Sequence, residues 1–115
     1  MNFSLIGIGA TMALSAVGSG IGAGVAGMAA IGAWKKCFAQ NKPAPFMLVA
    51  FVGAPLTQTV YGFILMNALK AAIGKMDPGL ILGIGIFGGL AMGVSAWYQG
   101  KAGACAADAF AETGK

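Results

Sequence analysis

The stretch Gly18-Ser19-Gly20-Ile21-Gly22-Ala23-Gly24-Val25-Ala26-Gly27 lies inside an uncharged run that reaches from Met1 to Trp34. In water a helix this rich in glycine is weak, since each Gly costs about 1 kcal/mol relative to Ala. In lipid the backbone hydrogen bonds have no competing water, and small faces let helices approach closely. The stretch therefore reads as the middle of a transmembrane helix spanning about residues 3–33. Gly20 and Gly24 make one GxxxG step and Gly18 and Gly22 another, so more than one side of the helix is stripped of bulk. That suits the crowded inner layer of an assembly. Gly22 to Gly27 also fits the GxGxxG spelling of a dinucleotide loop, but that motif needs a preceding strand and an acid about 20 residues on. The first acid is Asp77, and the packing reading wins.

The rest of the 115 residues agree with a membrane protein. The chain is 58% hydrophobic and 9% charged, with 20 glycines, seven lysines, three acids and neither arginine nor histidine. Soluble domains carry roughly 25% charged residues. Without His there is no Ser-His-Asp or Cys-His chemistry, and two cysteines do not make a zinc cluster. The net charge of +4 does not indicate nucleic acid, because the lysines bracket apolar runs instead of gathering on one water-facing surface.

Lys35, Lys36 and Lys42, with Pro43 and Pro45, mark a first loop at 34–45. A second span follows at about 46–70. Lys70, Lys75, Asp77 and Pro78 mark an outer turn at 71–78, with Gly74 available as a helix C-cap. A third span runs over about 79–107 and is followed by a polar tail at 108–115. Lys101 interrupts this last run and reads as snorkelling to the cytoplasmic interface. The fold class is an all-α membrane protein of antiparallel transmembrane helical hairpins. The lysine bias places the first loop and the C-terminus in the cytoplasm and the N-terminus outside. Cys37 and Cys105 then face the reducing side and are expected as free thiols.

Polar residues stand in the middle of the second span. Thr57, Gln58 and Tyr61 share one helical face with Ala54, and Pro55 falls within that face. Pro55 has no N–H to donate, which opens the backbone ladder and leaves a carbonyl nearby without its usual partner. Gln99 is the counterpart in the third span. Counted from the turn near Met76, Gln58 and Gln99 lie roughly 27 and 35 Å deep, and their opposite tilts close the gap. Two readings follow. The residues are interhelical hydrogen-bond glue, or they form a pocket of hard oxygen donors for an alkali or alkaline-earth cation or for a protonated carboxyl. Such a pocket has no charge of its own here.

Pro55-Leu56-Thr57-Gln58-Thr59-Val60-Tyr61-Gly62 resembles the second-helix motif of subunit K, the membrane-ring proteolipid of bacterial V-type ATPases. The glycine-rich first helix and Gln99-Gly100-Lys101 agree with it. What the resemblance implies is a ring-forming hairpin of hairpins, three of whose spans are present and whose fourth is expected but absent. It also implies a rotor that moves Na⁺ or H⁺ past a stator, with partners in copies of itself, in stator and central-stalk subunits and in the lipid bilayer of the plasma membrane. The ion ligands would be Thr57, Gln58, Gln99 and the backbone carbonyl of Ala54, closed by Tyr61, with Na⁺ favoured and no cofactor besides the transported ion. The chain is not expected to be an enzyme on its own. The essential ligand of such sites is a glutamate in a fourth helix, so the chain is expected to be a truncated subunit. The alternative is a non-transporting glycine-zipper protein of membrane assembly.

Overall fold

The computed structural model describes residues 2–114; Met1 and Lys115 lie outside the described residues. Helix α1 covers Phe3–Ala39, α2 covers Leu48–Gly53, α3 covers Thr57–Ala71 and α4 covers Pro78–Thr113. A 3₁₀ turn, Ala54–Leu56, joins α2 to α3, so the second span is a single interrupted rod. Three rods, Phe3–Ala39, Leu48–Ala71 and Pro78–Thr113, are long and apolar enough to cross a membrane. They lie side by side in a body of 61 × 17 × 16 Å.

The helix ends follow from local chemistry. Asn2 caps α1 by accepting the Ser4 N–H at 3.0 Å. Asp77 caps α4 by accepting the Gly79 N–H at 3.1 Å, with Pro78 at the first helical position, where its missing donor costs nothing. At the far end of α4, Gly114 takes a φ of 75° and its N–H closes on the Phe110 carbonyl. The outer turn bends at Gly74, whose φ of 85° is open to glycine at no steric cost. The capping residue of α3 is Ala72, two positions before that glycine.

At 37 and 36 residues, α1 and α4 are each about 55 Å long. A hydrocarbon core of about 30 Å does not cover them. Their last turns, over 34–39 and 108–113, continue as helix beyond the apolar spans of 3–33 and 79–107. There Lys36 binds Glu112 and lies 3.8 Å from Asp108, tying the ends of α1 and α4 together. The Trp34 indole donates to the Pro45 carbonyl at 2.7 Å and so pins the start of the second span. Cys37 is buried, Cys105 is exposed, and both are free.

Packing is dominated by α1 against α4. Along α1 the buried positions include Gly7, Thr11, Ser15, Gly18, Gly22, Ala26, Ala30 and Ala33, and along α4 Gly85, Gly89, Gly93, Ala96, Gly100 and Ala107. Helical spacing puts each set on one stripe, and the residues are so small that backbone meets backbone. Gly18 abuts the Gly93 backbone, and Gly100 abuts that of Gly22. The α3 helix joins through the same device, with Gly62 against Ser15. Apolar clusters close the two ends: Ile8, Leu69 and Ile81 at one, and Ala30, Ala33, Cys37, Leu48, Ala107 and Ala111 at the other.

Gly20 and Gly24, of the other GxxxG step, meet nothing within 4 Å inside the protomer. Lys101 also departs from its expected course. Its ammonium folds back over Trp97 and Tyr98, 4.7 and 4.9 Å from the ring centroids, instead of reaching toward the loop end. Helical side chains tilt toward the N-terminus of their own helix, and two aromatic faces await the cation there.

A Cβ at Gly89 would stand 2.9 Å from three backbone atoms of Ala10 and Thr11, none of which can turn aside. A Cβ at Gly83 meets nothing within 4 Å. Gly89→Ala is expected to destabilise the protein by about 1–3 kcal/mol, and Gly83→Ala to leave it unchanged, as read by thermal unfolding in detergent.

Candidate functional site

The site begins with a proline. Pro55 offers no N–H, so the chain tightens from α2 into the 3₁₀ turn, and the Thr57 N–H reaches the Ala54 carbonyl three residues back. The Thr57 hydroxyl turns to the same carbonyl at 3.0 Å. It also lies 3.0 Å from Oε1 of Gln58. One hydroxyl carries one proton, so at any moment one of these two oxygens goes without it.

Gln58 then crosses to α4. Its Nε2 donates to Oε1 of Gln99 at 2.8 Å and stands 3.4 Å from the Ser95 hydroxyl oxygen. The two glutamines, 41 residues apart in sequence, meet as their opposite tilts require. Both are half-buried, and Thr57 and Ser95 are exposed within the protomer. Ala54 and Gln99 also line a shallow cavity of about 250 Å³ with Phe51, Ala102, Gly103 and Ala106.

Thus Ala54, Thr57, Gln58 and Gln99 come together, and Tyr61 does not join their hydrogen bonds. Its side chain is exposed one turn along α3. Ser95 is the addition that sequence reasoning missed. A serine in a helix of Gly, Ala and Ser looks like one more small residue, and the available signal was its place one turn before Gln99, on the same face.

The site's charge balance is plain. Among the described residues no three His, Cys, Asp or Glu side chains cluster as metal ligands would. The α4 helix runs unbroken from Pro78 to Thr113, which sets Asp108 and Glu112 about 14 and 20 Å beyond Gln99. Both carboxylates are engaged with Lys36. What the arrangement offers is neutral oxygen: one main-chain carbonyl, two amide oxygens and two hydroxyls.

No protein-family model matches the chain, and no solved structure matches it. A curated protein does. The A-type ATP synthase subunit K of Methanocaldococcus jannaschii is 32% identical over 108 residues, which is 93% of this chain and 46% of that protein. The chain is similar to this subunit K over nearly all of its own length. It spans about half the length of this curated relative. The likeness agrees with the proteolipid resemblance carried by residues 55–62, although the relative's name is that of an A-type ATP synthase and not of a V-type ATPase. With three apolar rods and this likeness, the chain is a multi-pass membrane protein.

The hydrogen bond between the glutamines makes a measurable coupling. A double-mutant cycle of Gln58→Ala with Gln99→Ala is expected to give about 0.6–1.7 kcal/mol, the range for interhelical bonds in membranes. A cycle of Gln58→Ala with Tyr61→Phe is expected to give none. Unfolding in detergent micelles measures both.

Proposed function

We propose that the chain is an ion-carrying subunit of the rotor ring of a V-type ATPase or ATP synthase, and that it moves Na⁺ or H⁺ across the membrane as the ring turns. The observation that supports this reading is the convergence of neutral oxygens from two helices. The Ala54 carbonyl, the Thr57 hydroxyl and the amide oxygens of Gln58 and Gln99 are linked in one chain of hydrogen bonds between the second span and α4. Interhelical glue needs one bond between the helices. A cluster of hard oxygen donors, without sulfur or imidazole, suits a hard cation.

Sodium is favoured over protons, because a proton carrier needs little besides a carboxyl group, and the neutral donors would be redundant around it. The ligands are Thr57, Gln58, Gln99 and the Ala54 carbonyl, with Tyr61 as the group that closes over them. Full binding requires an anion, which the described residues do not bring to the site, and the subunit K resemblance puts it on a fourth helix. The partners are copies of the chain in a ring, stator and central-stalk subunits, and the lipid of the plasma membrane. The first loop and the C-terminus face the cytoplasm, in keeping with Lys35, Lys36 and Lys42 at that end.

The exposed glycines support the ring. Gly18 and Gly22 are consumed by contacts with α4, and Gly20 and Gly24 leave a second slim face of α1 open to a neighbour. A glycine-zipper assembly protein would share that face. It would have no use for the cluster of oxygens between α3 and α4.

Two experiments test the reading. Binding of ²²Na⁺ to the purified full-length assembly is expected to weaken about tenfold or more in Gln58→Ala and in Gln99→Ala, the loss of one good polar ligand. Unchanged affinity in both removes these residues from the site. Gly20→Leu or Gly24→Leu is expected to leave the protomer folded, since nothing lies within 4 Å, and to abolish the ring on native mass spectrometry. Intact rings in both variants would show that this face is not the one that meets a neighbour.

A further inference from the structure

We propose that Ser95 is a positioning residue of this site, the acceptor to which the Gln58 amide passes when a cation takes the oxygen of Gln99. The inference rests on the cation reading given above. Its basis is the way Gln58 is held. The Nε2 of Gln58 faces α4, where two acceptors stand one helical turn apart: Gln99 Oε1 at 2.8 Å and Ser95 Oγ at 3.4 Å. The first is a hydrogen bond of ordinary length, and the second lies beyond the usual 2.7–3.2 Å range.

A cation competes with this arrangement. Gln99 Oε1 is an oxygen it needs, and although that oxygen has a second lone pair, the N–H 2.8 Å away turns its positive end toward the ion and repels it. The ion is held best by both amide oxygens when the Gln58 nitrogen turns aside. The half-buried Gln58 N–H then needs another acceptor, and without one the loss offsets part of what a ligand contributes. Ser95 Oγ is close enough that a small swing of the Gln58 amide brings it into range. The same swing keeps Oε1 of Gln58 on the side of Thr57, where the ion is expected. Ser95 therefore contributes little while the site is empty and a full hydrogen bond once it is loaded.

The two states give Ser95 a signature that a merely structural serine lacks. In Ser95→Ala the melting temperature of the ion-free, full-length assembly is expected to be unchanged, and Na⁺ affinity is expected to fall about tenfold, as for one lost hydrogen bond. The increase in melting temperature on adding Na⁺ should shrink in step. Ser95→Thr, which keeps the hydroxyl, is expected to restore the affinity. If Ser95→Ala binds Na⁺ like the parent while Gln58→Ala and Gln99→Ala do not, the cation reading stands and the role of Ser95 is overturned. If Ser95→Ala melts lower without Na⁺ and Thr does not restore binding, Ser95 is a packing residue and the proposal is again overturned. Unchanged binding in all three variants would remove the cation reading itself.

Discussion

Contact of backbone with backbone between α1 and α4 is the constraint on which everything else depends. Gly7, Gly18 and Gly22 on one helix and Gly85, Gly89, Gly93 and Gly100 on the other leave no side chains to hold the axes apart. Without a hydrophobic drive between helices in lipid, association depends on close van der Waals contact and on interhelical hydrogen bonds. The seam provides both. Thr11 sits in it and donates at 3.0 and 3.2 Å to the carbonyls of Gly7 on its own helix and Gly85 on the other. Because the seam runs most of the length of both helices, it fixes their register, and that register sets the height at which Gln99 and Ser95 are presented.

The second span is held differently, and the difference makes the site. Its anchors are the contact of Gly62 with Ser15 and the packing of Leu48 and Leu69 in the two end clusters. Between them Pro55 interrupts the helix, and just beyond the tighter 3₁₀ turn Gln58 reaches across to α4. A Cβ on Gly22 would stand 3.1 Å from that of Pro55, so the proline ring itself rests on the glycine face of α1. One residue type therefore serves two ends: the glycine that lets α1 meet α4 also makes room for the kink that aims the polar residues.

Much of this was legible in the sequence, for reasons that can be named. The absence of charge over residues 1–34 fixes the first span, and proline and lysine mark the turns. The meeting of Gln58 and Gln99 follows from a fixed rise per residue and a fixed tilt, quantities that need no knowledge of neighbours. What depends on neighbours was not legible. Gly18-x-x-x-Gly22 and Gly20-x-x-x-Gly24 are spelled alike, and which pair faces α4 is decided by the rotation of α1 about its axis. Lys101 lies between an interface and two aromatic rings, and geometry chose the rings. The turns over 34–39 and 108–113 contain Lys35, Lys36, Asp108 and Glu112 and so read as loop and tail. A helix outside the bilayer needs no apolar composition, and the Lys36 ion pairs hold these two ends together.

No carboxylate among the described residues reaches the site, and the form of the site follows from that. Neutral dipoles left to themselves satisfy one another: the Thr57 proton is shared by its neighbours, and the Gln58 amide closes on Gln99. A cation in their place must be worth more than the bonds it displaces, and two amides, a carbonyl and hydroxyls at partial exposure give it only dipoles. A negative charge beside them changes the balance twice. It attracts the ion directly, and it repels the amide oxygens, so that the N–H groups are drawn toward the carboxylate and the oxygens turn toward the ion. On the cation reading proposed above, the closed network of Thr57, Gln58 and Gln99 would be the resting form of a set whose orientation an anion selects, and Ser95 would be the acceptor that lets the set turn without stranding a donor.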